Sequence, residues 1–140
     1  MPVWLVYHHP SQFSTEESCS ALARDITTKV YNMIPPFYTQ VVFQPTASIY
    51  VGGEHNEKMV RFVIHELAGQ HHGHVYRAKW VNRVNRVLAP HIAEKGLDWE
   101  FHIEEPSRDL WSIRGLEPPP LGSKAEAEWI RRNQPVPYKL

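Results

Sequence analysis

Apolar positions along the chain change period in a repeating order. Val3-Trp4-Leu5-Val6-Tyr7 is a β-branched and aromatic run too short for a helix, and it predicts a first strand. Leu22, Ile26 and Val30 follow at helical spacing behind Ser14-Thr15-Glu16-Glu17, which has the form of a capping box with Ser14 at the cap and Glu17 reaching back. The spacing predicts a helix from about Thr15 to Met33, stopped by Pro35-Pro36, and a second strand over 38–44 around Val41-Val42-Phe43. Ser48-Ile49-Tyr50-Val51 before Gly52-Gly53 reads as a short edge strand and turn. The order then recurs. Met59 to His65 predicts a strand and 69–73 a loop. Tyr76, Trp80, Val84, Val87/Leu88 and His91 form one helical stripe that closes at Lys95-Gly96, and Trp99 to Ile103 alternates as a fourth strand.

The pattern predicts an α/β fold: two β-α-β units, each with parallel strands and a right-handed crossover, forming a four-stranded mixed sheet with both helices on one face. Val41-Val42-Phe43 and Phe62-Val63-Ile64 are unbroken apolar runs, as in strands buried on both faces, so a partner subunit is expected over the other face. Residues 1–140 read as a single domain. Its C-terminal extension, 108–140, holds three consecutive prolines, a second capping box at Ser123-Lys124-Ala125-Glu126 and a short helix with Trp129; it is expected to wrap the core or a neighbouring subunit.

Charge narrows the partners. Fifteen Lys and Arg against fifteen Asp and Glu leave no net charge, which argues against a general grip on nucleic acid or on an anionic membrane surface. Cys19 is the single cysteine, so no intrachain disulfide or cysteine-rich zinc site can form, and a reducing, cytoplasmic location is expected. No apolar run approaches a membrane span of about 20 residues, and the start lacks the basic region of a signal peptide.

Pro2 is the first candidate for chemistry. Removal of Met1 would leave it a free secondary amine at the start of a strand, where apolar surroundings such as Trp4 lower the pKa of an ordinary α-amino group towards neutrality. The ring fixes the direction of the nitrogen lone pair, which suits a general base. His65, His71, His72 and His74 lie within ten residues, yet His65-Glu66-Leu67-Ala68-Gly69 has glycine where a second ligand of a zinc helix should stand. No metal and no cofactor is expected. Gly52-Gly53 lacks the further glycines and the helix start of a phosphate cradle and reads as a turn.

Met1-Pro2 leading straight into a strand, two β-α-β units with Gly52-Gly53 between them, and the tail Trp111-Ser112-Ile113-Arg114-Gly115-Leu116-Glu117-Pro118-Pro119 together resemble the tautomerase superfamily. The chain is most similar to its cis-3-chloroacrylic acid dehalogenase group, and within that to fungal-type relatives carrying a Trp-x-x-x-Gly-Leu-x-Pro-Pro tail. The resemblance implies a homotrimer, Pro2 at the base of each pocket, and a small carbonyl compound or unsaturated acid as substrate. Several functional positions of the relatives differ here. Val30, with Tyr31 beside it, falls where they carry a histidine; Gly69 and His72, with His71 adjacent, fall where they carry an arginine pair; Phe101 replaces a tyrosine; and their glutamate falls near Trp111-Ser112, with no carboxylate at the aligned site.

Without the arginine forks and the water-activating groups, haloacrylate dehalogenation is not expected to be efficient. Tautomerisation asks only for a positioned amine and a donor to the enolate oxygen. The expected function is therefore tautomerase or isomerase chemistry on a small enolisable carbonyl compound, with Pro2 catalytic and Arg114, His72, His71, Tyr31 and Trp111 contacting substrate. The alternatives are a hydratase or dehalogenase of small unsaturated acids, and a catalytically degenerate oligomeric ligand-binding protein.

Overall fold

The computed structural model describes residues 1–67 and 73–139, so most of the expected 69–73 loop lies outside the described residues. The first unit is β1 (Pro2–His8), α1 (Glu16–Asp25) and β2 (Gln40–Pro45). A two-stranded hairpin, β3 (Tyr50–Val51) and β4 (Glu54–His55), turns at Gly52 and Gly53, whose φ values of +61° and +90° suit glycine. The second unit is β5 (Met59–Glu66), α2 (His74–Leu88) and β6 (Asp98–Glu104), and α3 (Lys124–Arg132) lies in the extension. The main sheet runs β2-β1-β5-β6. Within each unit the strands are parallel, and β1 meets β5 antiparallel.

Pleating decides what is inside. Along β1 and β5 the buried positions alternate strictly, bringing Trp4 and Val6 onto the same face as Val60, Phe62 and Ile64. Leu22 and Ile26 from the first crossover, with Val84 and Leu88 from α2, close over that face. The expectation of strands buried on both faces needs correcting for this chain by itself. Val41 and Phe43 turn to the helices, whereas Val42 faces the open side and is 37% exposed. Val3, Leu5 and Val63 share that open side with a polar edge, where His65 Nδ1 lies 3.0 Å from Glu104 and Arg61 pairs with Glu100.

Local chemistry moves several boundaries. Thr15, not Ser14, caps α1, its hydroxyl accepting from the Ser18 amide at 3.2 Å. The helix then widens into a π-helical turn over Ile26–Val30, where the Thr27 and Thr28 hydroxyls each donate to the carbonyl four residues back at 2.8 Å. The expected strand start at Tyr38 is a 3₁₀ turn, Pro36–Tyr38, set by the proline at its head. α2 stops at Leu88; a separate 3₁₀ turn ends at Gly96, at φ +70°. Tyr76, placed on the buried stripe, is half exposed, while Val84, Val87 and Leu88 are buried. In the second capping box Ser123 accepts from the Glu126 amide, and Glu126 reaches one residue further back, to the Gly122 amide.

The extension folds onto its own chain. Trp129, fully buried, meets Phe37 and Tyr38 at ring distances of 6.1 and 6.2 Å and donates to the Val136 carbonyl at 2.8 Å. Asn133, at φ +49°, ends α3 and accepts from the Phe37 amide. With Trp111 and Tyr38, Trp129 forms a second core against which Met1, Leu67 and Ile113 pack. Among the described residues no helix is long and apolar enough to cross a membrane.

Candidate active site

β1 delivers the chain terminus to the junction of the two cores. Antiparallel register puts Pro2 opposite Glu66, on the same buried side of the pleat. One residue further, Met1 and Leu67 bond to each other twice: the Met1 amine donates to the Leu67 carbonyl at 2.7 Å, and the Leu67 amide donates to the Met1 carbonyl at 3.0 Å. With Met1 in place the Pro2 nitrogen is a tertiary amide and has no basic lone pair.

Glu66 is 4% exposed and is held as an acceptor. The Tyr31 hydroxyl donates to its Oε1 at 2.5 Å and the Trp80 indole at 3.1 Å, while the Trp4 indole donates to the Tyr31 oxygen at 3.1 Å. Burial, with the charge of Glu66 and the hydrogen bond to it, pushes the Tyr31 phenol far above its ordinary range. The phenol proton therefore stays on Tyr31 and is directed at the carboxylate.

The terminal amine is tuned by its surroundings. Burial lowers its pKa from 8.0 to about 5; Glu66 opposes that fall and the Arg108 guanidinium adds to it. Between pH 5 and 8 the folded Met1-bearing chain thus binds fewer protons than the unfolded chain, so its stability rises with pH through that window and the full penalty applies below pH 5. Three pH units at about 1.4 kcal/mol each set a ceiling of about 4 kcal/mol. A ¹³C NMR titration of labelled Met1 should show a midpoint near 5; a midpoint near 8 would remove the desolvated environment on which the site depends.

Beside Met1 opens a cavity of about 390 Å³ lined by Phe37, Gln40, Ser112, Ile113, Arg114 and Pro135. Arg114 supplies the one charged side chain among these residues. It sits in a two-residue turn in which Ile113 and Leu116 exchange backbone hydrogen bonds at 2.9 Å. Arg114 and Gly115 have φ of +51° and +78°, as a tight hairpin turn of this kind requires. The glycine of the tail motif thus has a mechanical purpose, and Arg114 carries backbone strain at the cavity wall. Arg108 donates to the Pro118 and Pro119 carbonyls and lies over the Trp111 ring at 5.9 Å, so the proline run holds this second guanidinium close enough to affect the terminal amine.

Of the residues anticipated from sequence, Arg114 lines the cavity together with Met1, the residue bonded to Pro2, and Pro2 itself is not among the lining residues. Trp111 is buried behind the cavity wall rather than forming it: it packs edge-on to Tyr38 at 5.1 Å, and its neighbours Ser112 and Ile113 line the space. Tyr31, anticipated as a donor to substrate, is turned into the core with its proton on Glu66, because the π-helical turn before it brings the ring between Trp4 and Trp80. His71 and His72 lie outside the described residues. Among the described residues no cluster of three or more His, Cys, Asp or Glu is arranged to hold a metal ion.

Glu66, the Leu67 backbone and Arg108 were not anticipated. Glu66 left a readable signal, since it is in phase with Phe62 and Ile64 on the buried face of β5, where a carboxylate needs a reason.

The family described as putative oxalocrotonate tautomerase enzyme matches residues 1–134. Native RhCC from Rhodococcus jostii is similar at 35% identity and TM-score 0.91, the match covering 97% of this chain and 99% of that one. A probable enzyme from the thermophilic fungus Aspergillus fumigatus is similar at 38% identity and TM-score 0.89, covering 99% and 98%. N1, a member of the cis-3-chloroacrylic acid dehalogenase family, shares the fold at 17% identity and TM-score 0.70, covering 91% and 89%. No curated protein matches the chain.

Proposed function

Because the chain belongs to the family of putative oxalocrotonate tautomerase enzymes, we propose that it is a tautomerase in which Pro2, freed of Met1, acts as general base and then as general acid on a small enolisable carbonyl compound. The observation that carries this reading is the desolvated chain terminus beside a cavity walled by Arg114. An amine there stays neutral near pH 7 and can take a proton from the carbon next to a carbonyl; the resulting ammonium returns it to another position of the substrate. Glu66, which opposes the fall in the Met1 amine's pKa, lies opposite Pro2 in the sheet and would act in the same direction on the freed proline nitrogen. Arg108 and Arg114, both from the extension, favour an anionic substrate and supply in part what a carboxylate clamp would. No carboxylate or imidazole stands among the described residues lining the cavity, which favours proton transfer over addition of water.

The open sheet face, with Val3, Leu5, Val42 and Val63, is proposed to be covered by copies of the same chain in a homotrimer, checked by light scattering. The lone Cys19 suits a reducing, cytoplasmic setting.

The proposal is tested by comparing the processed protein, one methionine lighter by intact mass, with a form that keeps Met1. The processed form should enolise phenylpyruvate and the Met1-bearing form should not. Equal rates in both would show that Pro2 is not the base. Activity in neither would leave a non-catalytic ligand-binding protein as the better account.

Arg114→Gly separates strain from chemistry. Glycine relieves a left-handed residue, so stability should rise by about 1 kcal/mol. Loss of the guanidinium should meanwhile lower kcat/KM by about 10- to 100-fold. A stability gain with unchanged kcat/KM would remove Arg114 from the site.

A further inference from the structure

Zero net charge describes the chain as a whole, and the fold separates its signs. α2 carries Arg77, Lys79, Arg83 and Arg86 and no Asp or Glu. Lys79, Asn82, Arg83 and Arg86 recur at i, i+3, i+4 and i+7, which places them on one exposed face of the helix, turned away from the buried Val84, Val87 and Leu88. The acids of β6, the strand beside α2, point elsewhere. Register puts Trp99 next to Val60 on the helix side of the sheet, whereas Glu100 lies next to Arg61 on the open side and pairs with it, as Glu104 pairs with His65. Asp98 accepts from the Asn56 carboxamide at 3.3 Å. No described residue forms an ion pair with Lys79, Arg83 or Arg86.

Together with Asn82 and Asn85, these three cations wall an open groove of about 610 Å³. Asn85 Oδ1 accepts from the Trp99 indole at 3.2 Å, so an aromatic side chain that is 40% exposed stands beside the groove. Arg83 is steadied over the Trp80 ring at 5.5 Å. The row spans about 10.5 Å from Lys79 to Arg86. All of the lining comes from one helix, so a small anion would keep most of its surface in water, unlike a ligand enclosed in a pocket. A linear polyanion gains from each further cation and releases counterions as it does so. An acidic peptide or an anionic lipid surface would use the charges and leave the ring idle, whereas a nucleic-acid base stacks on it. α2 covers the sheet face opposite the open one, so the row stays on the outside of any assembly built through the open face.

We propose that the row of Lys79, Arg83 and Arg86, with Trp99 beside it, binds a single-stranded polynucleotide. The cations and the Asn82 carboxamide take successive phosphates, and a base stacks on the Trp99 indole. The groove shares no lining residue with the cavity beside Met1, so this binding is independent of the proline chemistry.

The test is a fluorescence titration of the full-length protein with labelled oligo(U) and oligo(dT) of about eight nucleotides, within the usual site sizes, at several salt concentrations. Three phosphate contacts predict that log K falls with log salt at a slope of about −2. Lys79→Gln and Arg86→Gln should each make that slope shallower by about 0.7. Trp99→Leu should weaken binding about 5- to 100-fold, and Trp99→Phe, which keeps a ring, should retain most of it. Circular dichroism checks that the variants, all at exposed side chains, keep the fold. The two oligomers run as separate arms and tell a ribose strand from a deoxyribose strand. Failure of both to bind at low salt would overturn the assignment, as would a slope that Lys79→Gln and Arg86→Gln leave unchanged. Poly-glutamate and vesicles of phosphatidylserine with phosphatidylcholine serve as competitors. If either displaces the oligomers at equal charge and Trp99→Leu binds as the parent does, the face is a general cationic surface and the assignment is overturned.

Discussion

Replacing Pro2 by alanine is expected to lower kcat for enolisation by about 100-fold or more without unfolding the protein. Proline donates nothing to the β1–β5 ladder, so the strand pairing that holds Val3 opposite His65 does not depend on it. What alanine loses is chemical and geometric. After removal of Met1 it would present a primary amine on a freely rotating bond, in place of a ring nitrogen whose lone pair is fixed relative to the strand. General base catalysis of this kind contributes roughly 10²–10⁴ in rate, and loss of orientation removes a large part of it. The measurement is kcat for phenylpyruvate enolisation on protein shown by mass to be processed, with circular dichroism as the control for folding. A fall of less than about threefold would mean that the proton goes elsewhere.

Trp129→Ala is expected to be the most destabilising single change in the extension. Its indole is fully buried among Phe37, Tyr38 and Tyr138, and no other element can fill the space it leaves. Truncating such a tryptophan costs about 3–5 kcal/mol, and the Val136 carbonyl loses its donor as well. The main core under the sheet, built on Trp4, Phe62 and Leu22, makes no use of Trp129. Loosening should therefore begin in the extension. Because Arg114 and Pro135 line the cavity from that segment, KM should rise before the sheet unfolds. Urea denaturation by fluorescence, with KM measured well below the midpoint, checks both effects. A loss below 1 kcal/mol with unchanged KM would mean that the second core does not support the site.

The order of periods along the chain made the two β-α-β units readable, because alternation at two and at about 3.6 residues is a local property of each segment. The boundaries that moved did so for equally local reasons that pattern alone does not weigh: Thr15 accepts from the Ser18 amide and takes the cap one residue beyond Ser14, and the two threonine hydroxyls at 27 and 28 bond back to carbonyls where the helix widens. Tyr31 shows the other kind of difference. Sequence placed it near the site, and it is near, but its hydroxyl is taken by a carboxylate 35 positions away that had no mark as a partner.

By itself the sequence determined the strand and helix periods, the proline that follows Met1 and the separate character of the tail. Only the tertiary structure decided that Glu66 faces Pro2, that Leu67 brackets Met1, and that Arg108 and Arg114 come back from the extension to the start of the chain. The physical reason is that register between distant strands, and the docking of a tail against a core, are fixed by packing and by buried hydrogen bonds between residues far apart in sequence. No window along the chain contains both partners of such a contact.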